Sequence, residues 1–150
     1  MTTTTVQKLL DEKAETKVYT VPSTATVFYA LQVMCEGNTG AVLVTDGEKI
    51  VGIFTERDYA REGEVKGRSA RDTLVADVMT KQTVLIKPET TLEECAELMA
   101  KYHVRHLPVL AKDRVVGVVS IRRLAEGLIQ QKQGTIVELE NYILGSGYGE

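Results

Sequence analysis

Ile50-Val51-Gly52-Ile53-Phe54-Thr55-Glu56-Arg57-Asp58 returns, 65 positions on, as Val115-Val116-Gly117-Val118-Val119-Ser120-Ile121-Arg122-Arg123. Each stretch is an apolar run holding one glycine, followed by a hydroxyl residue where a helix can begin. The same offset places Met34 on Met99 and Val44 on Val109. It also sets Val27 against Leu92 and Val33 against Leu98. The register holds without a gap from Val27 to Leu124, so the chain is read as a duplication. Upstream, Pro22 matches Pro88 if the first copy carries one extra residue.

Each copy opens on a short extended piece ending at proline, Tyr19-Thr20-Val21-Pro22 and Leu85-Ile86-Lys87-Pro88. An amphipathic helix follows. Its apolar stripe is Val27, Ala30, Leu31, Met34 and Cys35 in the first copy, and Leu92, Cys95, Ala96 and Met99 in the second. Thr91 and Glu94 have capping-box spacing. Two strands come next, Ala41–Val44 and Ile50–Phe54, joined at Asp46-Gly47, which suits a tight turn. Leu107–Leu110 and Val115–Val119 repeat them. A helix should start after Thr55 and after Ser120. The unit is therefore strand, helix, strand, strand, helix, and one copy of about sixty residues buries too little surface to stand alone. The two copies are expected to pack through their sheets, leaving clefts where small ligands bind.

The expected divisions are an N-terminal extension at 1–16, a first repeat at 17–67, a connector at 68–82, a second repeat at 83–130, and a C-terminal helix with a frayed tail at 131–150. Thr5 to Lys13 reads as a short helix with Val6, Leu9 and Leu10 on one side, and Leu74, Val78 and Met79 resume a buried pattern after the polar connector. The tail carries Ile136, Leu139, Tyr142 and Ile143 on one stripe, which invites either a dimer contact or packing on its own domain. It should fray at Gly145-Ser146-Gly147.

Composition narrows the function. With 150 residues and 43% hydrophobic content the chain suits one compact unit or two small ones, and its net charge of −3 argues against a globally basic nucleic-acid binder. The threonine-rich start lacks a signal-peptide pattern and no apolar run reaches membrane-span length, so a soluble cytoplasmic protein is expected. Cys35 and Cys95 form no C-x-x-C pair and are read as buried structural thiols. His103 and His106 lack matched carboxylate or thiol partners, so no metal is expected. Nor is there a recognisable nucleophile motif, so no catalysis is expected.

Two features remain. Thr55 and Asp58, three residues apart, form either a plain capping box or one half of a nucleotide site, since a carboxylate can receive both hydroxyls of a ribose. The second feature is a local concentration of charge. Lys101, Arg105, Lys112, Arg114, Arg122 and Arg123 stand against Asp113 alone between positions 101 and 123, as an anion site or a solvated basic face would require.

The duplicated unit, the Gly52-to-Asp58 junction and the strand Val104-Arg105-His106-Leu107-Pro108-Val109 together resemble a tandem pair of CBS domains, the cystathionine-β-synthase type, from about Val18 to Leu128. Thr55–Tyr59, Gly67-Arg68-Ser69 and Val104–Pro108 are especially similar to small stand-alone CBS-pair proteins of bacteria and mitochondria. The resemblance implies an α/β module of two pseudo-symmetric repeats that dimerises into a flat disc. It also implies regulation without catalysis, through AMP and in some cases NAD(H). Carried over by residue, Asp58 would hold the ribose hydroxyls with Thr55 beside the ribose and phosphate. The backbone of Thr83, Val84 and Leu85 would meet the adenine edge. Arg105 and His106, on the strand that continues into Pro108, would meet the phosphate, with Arg57 and Arg68 in support. The pseudo-symmetric second site would use Tyr19, Thr20 and Ser120. It departs from the pattern, because Arg123 replaces the acid and Gly40 and Ala41 stand in place of Arg105 and His106. Arg122 and Arg123 would then hold an extra phosphate, or the site would be empty. The alternative function is a structural adaptor acting through a dimer surface.

Overall fold

The computed structural model describes residues 3–12, 17–81 and 83–144. They divide into two compact units. Lys17–Val84 is one, and the N-terminal segment joined to the chain from Leu85 onward is the other.

The first unit holds β1 (Thr20–Pro22), α2 (Val27–Gly37), β2 (Ala41–Asp46), β3 (Lys49–Thr55) and α3 (Glu56–Asp58), the last running on as one π-helical turn over Tyr59–Glu64. Its sheet has the order β1-β2-β3, with β1 parallel and β3 antiparallel to β2. Val21, Val27, Ala30, Met34, Val42, Val44 and Phe54 form the core, with Val75 and Val78 added from the connector. Burying each of the valine, methionine and phenylalanine side chains contributes about 1.5–3 kcal/mol. The connector departs from the expected pattern. Val75 begins a short 3₁₀ turn, Val75–Asp77, and is buried, whereas Leu74 is exposed and only its backbone bridges Thr26.

The second unit holds α4 (Leu92–Tyr102), β4 (His106–Ala111), β5 (Arg114–Ser120) and α5 (Ile121–Leu144). The opening strand expected at Leu85–Pro88 is reduced to one parallel bridge between Ile86 and Val109, held by Ile86 N–H to the Pro108 carbonyl at 3.0 Å and Leu110 N–H to the Ile86 carbonyl at 2.8 Å. Ile86 on Val109 is the counterpart of Val21 on Val44 at an offset of 65, so the offset runs upstream unbroken and the Pro22–Pro88 match is one residue out of structural register.

The duplication extends to fine detail. Thr26 and Thr91 cap their helices by accepting the N–H of Tyr29 and Glu94, and Asn38 and His103 end them in the left-handed region at φ 50° and 54°. Ladder pairs Ala41–Thr55 through Asp46–Lys49 map onto His106–Ser120 through Ala111–Arg114, each with a bulge, after Val44 and after Val109. The first hairpin turns at Gly47-Glu48, one residue later than expected, with Gly47 at φ 62°. The second turns on Lys112 and Asp113 at φ 52° and 64°, a primed turn made without glycine. The thiols differ: Cys95 is buried but Cys35 is exposed. Cys95 corresponds to Ala30 inside the stripe, whereas Cys35 lies eight residues from Val27, about 80° around the helix, at its rim.

α1 (Val6–Asp11) belongs with the second repeat although it precedes the first in sequence. Val6 and Gln7 donate backbone bonds to the Thr90 and Pro88 carbonyls, Leu92 donates to Thr4, and Val6 and Leu9 are fully buried. Leu9 lies so close to α5 that a Cβ on Gly127 would come within 2.9 Å of it. Residues 13–16, including the expected helix end at Lys13, lie outside the described residues, as does the fray expected from Gly145. The C-terminal helix expected from 131 is instead continuous with the one after Ser120, giving 24 residues without a break.

Candidate functional site

The junction between β3 and α3 begins with Gly52. Its hydrogen sits where a Cβ would come within 2.8 Å of the Thr80 carbonyl oxygen and 2.6 Å of the Met79 sulfur. This close approach lets Thr80 pair with β3, Ile53 N–H donating to the Thr80 carbonyl at 3.0 Å and Thr80 N–H to the Ile53 carbonyl at 2.9 Å.

Thr55 and Asp58 form the reciprocal capping box. Asp58 N–H donates to Thr55 Oγ1 at 3.1 Å, and Thr55 N–H donates to Asp58 Oδ2 at 3.0 Å. The Thr80 hydroxyl donates to the other carboxylate oxygen, Asp58 Oδ1, at 3.0 Å. Each oxygen thus accepts one bond within the protein and keeps one lone pair, with the carboxylate plane held at both ends. Burial raises the Asp58 carboxyl above its usual 3.8. The hydrogen bonds from Thr55 and Thr80 pull it down by less, and Glu62 adds a smaller upward push. Sequence reasoning missed Thr80; the glycine of the junction, which makes room for it, was the available signal.

Other predicted residues of this unit have varied settings. Arg57 is exposed on α3, and Arg68 donates from Nη1 to the Asp77 carbonyl at 3.2 Å. Tyr19 accepts Leu43 N–H at 2.9 Å through its carbonyl, while its ring lies against Gly37, and Thr20 opens β1 opposite Leu43. Gly40 accepts Glu56 N–H at 3.0 Å, and Ala41 stands opposite Thr55. An open concavity of about 450 Å³ is lined by Met34, Cys35, Asn38, Gly40, Glu56 and Tyr59 among others, and neither Thr55 nor Asp58 lines it. Thr83 and Val84 close this unit; Leu85 opens the other.

In the second unit, Arg105 is exposed and its carbonyl accepts Ile121 N–H at 2.8 Å. His106 opens β4 opposite Ser120, and its Nδ1 is buried without a partner among the described residues. Burial lowers the His106 pKa, and the Arg105 cation adds to the effect, so the imidazole is neutral near pH 7. Pro108 is buried in β4 opposite Val118. His103 is the helix cap already described. The α5 junction keeps the hydroxyl half of the box, Arg123 N–H donating to Ser120 Oγ at 3.1 Å. Arg122 is exposed, whereas Arg123 is only 4% exposed and its Nη2 donates to Glu12 Oε2.

The CBS-domain sequence profile matches residues 10–64 and 75–130. The chain belongs to the CBS-domain family. It is 38% identical over 128 residues to the mitochondrial CBS domain-containing protein CBSX3 of Arabidopsis thaliana, an alignment covering 82% of this chain and 62% of that protein's length. It is 34% identical over 110 residues to the CBS domain-containing protein YhcV of Bacillus subtilis, covering 73% and 78%. A solved CBS-domain structure from Burkholderia ambifaria overlays with a TM-score of 0.80 at 38% identity, covering 85% of this chain and 95% of that one. The fold is thus the mixed α/β architecture of two CBS repeats. Proteins of this family are generally regulatory and non-catalytic, and they commonly take adenine nucleotides. Among the described residues no helix is long and apolar enough to cross a membrane, and no group of three or more His, Cys, Asp or Glu residues is placed to hold a metal ion.

Proposed function

We propose that this CBS pair is a non-catalytic regulatory module that binds an adenine nucleotide, AMP first and NAD(H) as a further ligand, and that it works as a cytoplasmic homodimer on a protein target. The observation that carries the reading is the state of Asp58. Its two oxygens each hold one internal hydrogen bond and each retain one acceptor position, the valence a vicinal diol fills by donating one hydroxyl to each oxygen. Thr55 stands beside the ribose in this reading, and the Thr83–Leu85 backbone serves the adenine edge. Arg105 meets the phosphate as a charge and His106 as a neutral donor, with Arg57 and Arg68 in lesser support.

A ligand of about 23 heavy atoms at about 0.3 kcal/mol per atom gains about 7 kcal/mol, a Kd of about 10 μM, which suits a sensor. Isothermal titration with AMP, ADP, ATP and NADH tests the reading. Binding of AMP in the micromolar range, weakened about tenfold to a hundredfold in Asp58→Ala, is the expected result. Silence from all four at millimolar concentration leaves the chain as an adaptor.

A further inference from the structure

The α5 junction carries a positive charge where its counterpart carries a negative one. Arg123 sits in the first turn of a 24-residue helix, the end where unpaired N–H groups and the aligned peptide dipoles favour an anion. Its side chain is 4% exposed, so water cannot screen the mismatch, and an unpaired guanidinium there would be strongly destabilising. The counter-ion comes from the N-terminal segment of the same unit. Glu12, the residue that ends α1, accepts from Arg123 Nη2 while its own side chain remains 32% exposed. Arg123 Nε is a buried donor with no partner among the described residues. A single carboxylate oxygen therefore serves one edge of a group whose planar fork suits two.

We infer that the Glu12 carboxylate is an intramolecular tenant of an anion site built on Arg123 and the start of α5, and that this site takes a phosphate or diphosphate group once Glu12 is removed. An oxyanion with several oxygens can bond Nη2 and Nε together, which the carboxylate does not do here. Arginine has no acceptor, so this position cannot receive a diol as Asp58 can. The second repeat is thereby changed from a sugar-binding junction to an anion-binding one, kept filled by the chain itself. The inference stands apart from nucleotide binding at Asp58 and is tested with a ligand that has no sugar.

The experiment uses the full chain with nitrogen-labelled arginine and inorganic pyrophosphate as probe, reading the Arg123 Nε–Hε resonance and Tm. In the unsubstituted protein neither should respond at low millimolar concentration. In Glu12→Gln, pyrophosphate should move the resonance, raise Tm, and bind about tenfold to a hundredfold more tightly than to the unsubstituted chain. Adding Arg123→Met to that variant should abolish the gain. Should Glu12→Gln fail to fold, Glu12→Asp, one methylene shorter, is read in the same way. No pyrophosphate response in a folded Glu12 variant overturns the proposal, and so does an equal response in the unsubstituted chain.

Discussion

The two repeats build their strand-to-helix junctions on one backbone plan and complete them in opposite ways. In the first, Thr55 and Asp58 close the capping box locally, and the acid accepts a second bond from Thr80, which lies within the same unit. In the second, Ser120 keeps its half, but Arg123 needs Glu12, more than a hundred residues earlier in the chain. The contrast teaches how a duplication diverges: the hydroxyl that starts the helix keeps its bond from the backbone N–H of the third helical residue, and that residue's side chain takes a new charge and a new partner. It also explains where α1 goes. The first repeat fills its core with the connector residues Val75 and Val78, while the second uses Val6 and Leu9.

The comparison predicts, first, that the second repeat depends on its borrowed helix. Leu9→Ala removes a fully buried side chain packed against α5 and should cost about 2–5 kcal/mol in urea unfolding. A loss below about 0.5 kcal/mol would show that α1 is dispensable, as surface substitutions are.

Asp58→Ala should weaken AMP binding by about tenfold to a hundredfold, the loss of charge-assisted bonds worth about 1.5–3 kcal/mol, whereas Arg123→Ala should change stability far more than AMP affinity. Equal AMP affinity in Asp58→Ala and the unsubstituted chain would break the functional half of the comparison. The pH dependence sharpens it. Because burial raises the Asp58 carboxyl above 3.8, it loses its charge at a higher pH than an ordinary aspartate does, and AMP affinity should fall as pH is lowered through that raised value. Stability runs the other way. Between 3.8 and the raised value the folded chain binds the extra proton, so this group's contribution to stability declines as pH rises across that window. A carbon NMR titration of the Asp58 carboxyl locates it, and Asp58→Asn should flatten both profiles there.

Gly52→Ala should press Met79 and Thr80 away from β3, costing about 1–3 kcal/mol and separating the Thr80 hydroxyl from Asp58. Loss of amide-exchange protection at Ile53 and Thr80 is the direct readout. The smallest expected effect concerns the caps. Thr91→Ala and Thr26→Ala should each cost about 1 kcal/mol, with Thr91 the more costly because Glu94 returns its bond and Thr26 has no such reciprocal partner.

The repeat unit was legible because its signals are local. Apolar spacing marks the helices, hydroxyl residues mark their starts, and a fixed offset superimposes the strands. Asn38 and His103 show that even the helix ends share this offset. Short-range patterns proved less decisive where burial depends on a few degrees of helix rotation, as for Cys35, or on which of two neighbouring apolar residues turns inward, as for Leu74 and Val75. The Thr55–Asp58 pair was visible as a spacing, yet Thr80 was not, since the bond joins residues 22 apart through a bridge that no periodicity announces.

By itself, then, the amino-acid sequence determined the duplication, the order of elements within each copy, and the hydroxyl-and-charge pattern at the two junctions, because each follows from interactions between residues a few positions apart. Only the tertiary structure decided that α1 completes the second repeat, that Thr80 holds Asp58, and that Glu12 neutralises Arg123. Those pairings are chosen by which buried charges and apolar faces lack partners once the chain has closed, and that shortage arises only between segments far apart in sequence.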